Sequence, residues 1–169
     1  MTPTAPPWTK GGAFDEAVTM TMTRLRLLAA ALALGAPAIA LAAEPILVHR
    51  DPGCGCCGEW ARIVRARFGR AVRIVDDANR PALMKARGVP ADLASCHTAI
   101  IDGMTFEGHV PIADMKRALA QRPKGVTGLA VAGMPLGSPG MEAPGRPAQP
   151  YVVVAFGPGG RRVFSTRRG

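Results

Sequence analysis

The stretch Cys54-Gly55-Cys56-Cys57 sets three thiols within four residues. Its ends form a C-x-x-C pair, yet disulfide exchange needs only one attacking and one resolving sulfur. The central thiol is surplus to that chemistry and suits a soft metal, because thiolate ligands favour Cu(I), zinc and iron–sulfur centres. A structural zinc site would add a second C-x-x-C or an H-x-H pair, which the chain lacks. Iron–sulfur cysteine spacings fit poorly as well. The bland reading, three inert buried cysteines, packs badly beside Gly53, Gly55 and Gly58.

The chain has four cysteines, which in an exported protein would ordinarily suggest two structural disulfides. Bonds between neighbouring cysteines of the cluster need strained geometry, so only Cys54 with Cys57 is comfortable there. Cys56 and Cys96 then pair with each other or stay free. Cys96-His97 precedes an apolar run that should form a strand near the first one, which would bring a fourth thiol and an imidazole to the cluster. His97 and His109 are candidate ligands or groups that orient ligands, whereas His49 reads as structural. Met84 and Met115 fall on helical apolar stripes and read as core. Met134 and Met141 instead flank Pro135-Leu136-Gly137-Ser138-Pro139-Gly140, where a thioether has little packing work and could serve as a soft donor or part of a lid.

These residues need elements to hold them. Ile46 to His49 predicts a buried first strand, ended by the turn former Asp51-Pro52-Gly53. Trp60, Ile63, Val64 and Phe68 recur at helical spacing, predicting a helix from Glu59 that stops at Gly69 and whose first turn holds the end of the cysteine cluster. A thiolate at such a junction is stabilised by free N–H groups and the helix dipole. Val72 to Val75 predicts a second strand. A helix follows through Leu83 and Met84, capped by Asp76, Asp77 and Asn79 and ended by Gly88 and Pro90. Thr98 to Ile101 and Met104 to Glu107 predict a hairpin about Asp102-Gly103. Pro111 opens a helix with Ile112, Met115 and Leu119 on its apolar stripe and Pro123 as its stop. Gly133 to Pro150 is too rich in glycine and proline for a regular element, and loops beyond about 12–15 residues tend to be functional or disordered. Tyr151 to Phe156 and an edge strand from Arg162 to Ser165 close the chain.

Thr23-Arg24-Leu25-Arg26 followed by the apolar run Leu27 to Leu34 has the form of a signal peptide, with Ala40-Leu41-Ala42 as the cleavage site. The sequence therefore predicts a non-native extension over 1–19, a signal peptide over 20–42 and one metal-binding domain over 43–169, exported and with no stable membrane insertion after cleavage. Gly35 and Pro37 interrupt the apolar run short of a bilayer span. The net charge of +9 with 5% aromatic residues comes with arginines dispersed along the chain, which argues for a basic soluble surface and against nucleic-acid binding.

The chain resembles the CopG-like family of periplasmic copper-resistance proteins, formerly a domain of unknown function. The likeness runs from about Pro45 to Arg162. It rests on Cys54-Gly55-Cys56-Cys57-Gly58, Ser95-Cys96-His97-Thr98, Glu107-Gly108-His109-Val110-Pro111 and Gly133-Met134-Pro135-Leu136-Gly137-Ser138-Pro139-Gly140-Met141-Glu142. The resemblance implies an α/β, thioredoxin-like fold with a central mixed sheet and flanking helices. It also implies copper held by a cysteine-bridged cluster of Cys54, Cys56, Cys57 and Cys96, and a role in copper redox chemistry or detoxification. Copper ions, chiefly as Cu(I), are then the expected ligand, with periplasmic copper-efflux or redox proteins as partners and zinc a weaker fit. Two competing readings of the same residues are a metal-free thiol-disulfide oxidoreductase that attacks with Cys54 and resolves with Cys57, and a zinc-stabilised adaptor.

Overall fold

The computed structural model describes residues 43–168, so the expected extension and signal peptide lie outside the described residues. The described part is a mixed α/β unit with a seven-stranded sheet and three helices. β1 (Ile46–Arg50) leads into α1 (Gly55–Phe68), β2 (Val72–Asp76) and α2 (Arg80–Ala86). A short 3-10 turn, Ala91–Leu93, precedes the hairpin of β3 (His97–Ile101) and β4 (Met104–Glu107). Then come α3 (Ile112–Gln121), β5 (Gly128–Ala130), β6 (Tyr151–Phe156) and β7 (Arg162–Arg167). The sheet order is β2-β1-β3-β4-β5-β6-β7. β1 runs parallel to β2 and antiparallel to β3, which is antiparallel to β4.

Each expected element forms, and the differences have local causes. α1 starts at Gly55, four residues before the expected start at Glu59, with Cys54 as its N-cap in extended geometry. Its first turn consists of glycines and cysteines and so adds nothing to the helical period. Gly69 ends the helix at φ +63, where its N–H donates to the Arg65 carbonyl. The β3–β4 turn takes positive φ at both Asp102 (+47) and Gly103 (+82), as a two-residue hairpin requires. β5 is an addition to the expected elements. Gly128 lies so close to Thr105 and Phe156 that a Cβ would come within 2.4 Å of both, so this short strand is specified by its neighbours on either side.

Two apolar layers sandwich the sheet. Trp60 and Val64 of α1 and Met115 and Ala118 of α3 pack with Ile46, Val48, Phe106 and Leu129. A smaller group, Met84, Val89 and Leu93 with Ala130 and Phe156, covers another part of the sheet. Met84 and Met115 are thus core, as their spacing predicts. Among the described residues no helix is long and apolar enough to cross a membrane.

Candidate metal centre

Three segments far apart in sequence build the site. The first is the bend from β1 into α1. The Cys54 N–H donates to the Asp51 carbonyl at 3.1 Å, which sets the bend. Cys54 and Cys57, with Cα atoms 5.6 Å apart, are joined in a disulfide, the one pairing inside the cluster that the spacing allows. Cys56 and Cys96 are free. Cys57 is buried, and Cys56 is half-buried with its Sγ 3.4 Å from that of Cys54.

The second segment is the start of β3. Antiparallel pairing of Arg50 with His97 brings Cys96 beside the β1 bend, and the Asp51 N–H donates to the Cys96 carbonyl at 3.0 Å. The Sγ of Cys96 then lies 4.0 Å from that of Cys56, although the two are 40 residues apart. On its other side it meets His109 Nε2 at 3.2 Å and His97 Nδ1 at 3.5 Å.

The third segment is the irregular loop after β5. Met134 Sδ lies 3.9 Å from Cys56 Sγ, and Met134 is about half exposed, leaving this edge of the cluster open to solvent. The Pro139 carbonyl accepts the Nδ1–H of His109 at 2.8 Å. This bond fixes the imidazole tautomer and turns the free lone pair of Nε2 toward Cys96. Met141 serves the loop through its backbone. Its N–H donates to Ser138 and its carbonyl accepts from Gly137, and among the described residues no hydrogen-bond-range contact joins its sulfur to the cysteines. His49 pairs with Asp77 at 2.8 Å, away from the cluster.

Two donor groups result. The donor atoms of Cys54, Cys56, Cys57 and Cys96 lie within 4.8 Å of one another, and so do those of Cys96, His97 and His109. Cys96 belongs to both groups. Burial, reinforced by the neighbouring Cys56, pushes the Cys96 thiol up to about 12, so it is protonated in the metal-free protein at neutral pH. Burial also drives His97 well below the ordinary imidazole range and lowers His109. Both rings are neutral, the form that binds metals. His97 is fully buried, and its Nε2 has no hydrogen-bond partner. Such an orphaned atom costs about 1–3 kcal/mol; the nitrogen that faces Cys96 is the ring's other one, Nδ1. A donor set of thiols, a thioether and neutral imidazoles fits a soft ion.

Behind the sulfurs lies a charged group that sequence reasoning missed. Arg80, the first residue of α2, is 4% exposed, and its guanidinium meets Asp51 through Nε at 2.8 Å and Nη2 at 3.1 Å. Its Nη1 donates to Glu107 Oε1 at 2.9 Å. Burial tends to lower the guanidinium pKa, but Asp51 and Glu107 outweigh it and raise the net value. An arginine at a helix start carries no mark of burial in the sequence.

Comparison with known proteins places these features. Residues 93–141, which contain Cys96, both site histidines and Met134, match the family described as "Protein of unknown function, DUF411". Comparison with curated proteins yields no match. The solved structure "Copper resistance protein copG- Form 1" is 40% identical, with a TM-score of 0.68, and the likeness covers 75% of this chain and 99% of that one. "Copper resistance protein copG- Form 2" is 41% identical, with a TM-score of 0.66 and coverage of 73% and 99%. A likeness of that identity over nearly the whole of a solved chain shows that this chain belongs to the CopG family of copper resistance proteins.

Proposed function

We propose that this protein binds copper as Cu(I) at the cluster of Cys54, Cys56, Cys57 and Cys96, flanked by His97, His109 and Met134, and that it serves copper resistance in the periplasm. The observation that carries the reading is the position of Cys56. Its sulfur lies 3.4 Å from Cys54, 4.0 Å from Cys96 and 3.9 Å from Met134. Soft donors crowded around one half-exposed thiol favour a cuprous ion, and sulfurs shared between ions would let a small site hold several. Met141 belongs to the same loop and contributes by shaping it. Disulfide exchange alone has no use for Cys56, Cys96 or the two imidazoles.

The Cys54–Cys57 bond gives the site a second state. Two electrons and two protons from a dithiol partner would open it to two thiols, the partner becoming a disulfide, and would raise the number of donors. Two bound Cu(I) ions could supply the two electrons in place of the dithiol, each becoming Cu(II) while the opened disulfide takes two protons from solvent, which is the form a role in copper redox conversion would take. The order β2-β1-β3-β4, with β3 antiparallel to both neighbours and the cysteines at the start of α1, supports a thioredoxin-like fold. Export is supported by the leader-like sequence and by a disulfide that suits an oxidising compartment.

The test is anaerobic titration of Cu(I) into the reduced protein against a chromophoric chelator, with X-ray absorption to identify copper–sulfur bonds. Cys56→Ser and Cys96→Ser should each weaken binding and lower the sulfur count around copper. Variants that bind Cu(I) as tightly as the parent would overturn the reading.

A further inference from the structure

We propose that Arg80, held by Glu107, is a positioning residue for the metal centre. Its guanidinium ties the loop that carries Cys54 and Cys56 to the loop that carries Cys96, and so sets the spacing of the sulfurs. The proposal rests on the copper reading for its functional consequence but on geometry for its content.

The ties are specific. Arg80 grips the Asp51 carboxylate with two nitrogens, and Asp51 is the residue whose carbonyl receives the Cys54 N–H and whose own N–H reaches the Cys96 carbonyl. Through Nη2 the same guanidinium also donates to the carbonyl of Ser95, the residue before Cys96. Glu107 completes the grip. Its Oε1 accepts the Ser95 N–H at 2.8 Å and its Oε2 accepts the Thr98 hydroxyl at 2.6 Å. Ser95, the residue before Cys96, is therefore held through both of its backbone groups, its carbonyl by Arg80 and its N–H by Glu107. None of the three charged residues offers a soft donor, so they act on the metal only through the cysteines.

Physical cost favours a positioning role over a purely structural one. Burying an arginine and a fully buried carboxylate is expensive, and well-packed apolar residues often stabilise a fold as well or better. What apolar residues cannot supply is a rigid fork with several directed donors. The planar guanidinium bonds two loops and a strand end at fixed angles, which a lysine ammonium cannot reproduce. The network lies immediately behind the cluster, where directed bonds translate into sulfur–sulfur distances.

The test compares Arg80→Lys with the parent in two ways. The first measures Cu(I) affinity of the purified protein by chelator competition, in the parent and again in a Cys96→Ser background. Arg80→Lys should weaken binding about 10- to 100-fold in the parent, the loss typical of groups that orient ligands. It should have a much smaller effect once Cys96 no longer contributes, because what Arg80 sets is the distance between Cys96 and the loop that carries Cys56. Equal loss in both backgrounds, or none in the parent, would overturn the proposal. The second needs no copper: with the Cys54–Cys57 bond intact and at alkaline pH, where part of the buried Cys96 thiol ionises, a short bifunctional thiol reagent anchored at Cys56 should capture Cys96 several-fold more slowly in Arg80→Lys than in the parent. Unchanged crosslinking would also overturn it. If the parent bound no Cu(I) while the crosslinking difference held, the positioning role would stand and the copper reading would fall. Should Arg80→Lys fail to fold, Asp51→Asn, changed at the half-exposed end of the network, should give a smaller loss with the same dependence on Cys96.

Discussion

Gly140 tests whether the irregular loop is built against the cysteine helix. It has φ +82, and a Cβ there would lie 2.8 Å from the Trp60 nitrogen, 3.2 Å from its Cα and 3.3 Å from the Cys56 carbonyl oxygen. All three atoms are helix backbone and cannot swing aside. If the loop stays in place, Gly140→Ala pays about 1 kcal/mol for the left-handed backbone and about 1–3 kcal/mol for overpacking. If the loop lifts, the His109 Nδ1–H loses the Pro139 carbonyl, which costs about 1–3 kcal/mol for a buried donor left unsatisfied. The cheaper route sets the outcome, so the expected loss is about 2 kcal/mol. Gly145→Ala is the control, with φ +74 and nothing within 4 Å, and should cost only the backbone term of about 1 kcal/mol. Urea unfolding of the metal-free, disulfide-intact protein measures both. Because a lifted loop also withdraws Met134 and frees the His109 ring, Gly140→Ala should weaken Cu(I) binding while Gly145→Ala leaves it unchanged. Equal stability loss for the two variants, with equal copper affinity, would refute the packing argument.

Other expectations follow from the buried polar groups and the disulfide. Burial lowers both His97 and His109, so below about pH 6.5 the unfolded chain takes up protons that the folded one refuses. The metal-free protein should keep this share of its stability above that pH and lose it on acidification, by up to about 1.4 kcal/mol per pH unit for each histidine, as urea midpoints between pH 7.5 and 5 would show. Glu107→Ala leaves the Arg80 cation under-compensated in the core and should cost about 3–5 kcal/mol, whereas Glu59→Ala, which removes an exposed pair with Arg62, should stay within about 0.5 kcal/mol; chemical denaturation of both variants checks the contrast. Reducing the Cys54–Cys57 bond should raise the number of Cu(I) ions held per chain, while a Cys54→Ser, Cys57→Ser double variant should hold the same number with and without reductant, as metal analysis after gel filtration would show.

Much of this was legible because it is local. Asp102-Gly103 specifies its hairpin through its own backbone preferences, and Tyr151 to Phe156 reads as a strand because the apolar, β-branched run has clear bounds. The cysteine cluster announces itself by residue type alone. The start of α1 escaped because a turn made of Gly55, Cys56, Cys57 and Gly58 carries no apolar period, so the helix showed only where Trp60 begins the stripe. β5 escaped because the sequence Gly128-Leu129-Ala130 has little strand character of its own and is a strand only between β4 and β6. Arg80 and Glu107 are 27 residues apart and each reads as a solvated charge, and their pairing appears only when the sheet closes over both.

The same distinction between local and distant bonding explains how the centre can change state without losing its shape. The disulfide spans three positions inside one bend, so it cannot hold the three ligand-bearing segments together. That work falls to the β1–β3 pairing, to the Asp51–Arg80–Glu107 network and to the Pro139 bond with His109, none of which involves a sulfur bond. Opening Cys54–Cys57 therefore adds donors at one edge of a frame that stays fixed. Cys96, gripped through the peptide on either side of it, remains the fixed point between the sulfur group and the imidazole group, and on the proposed copper reading Cys56 and Met134, at the solvent edge, would be the donors an incoming ion meets first.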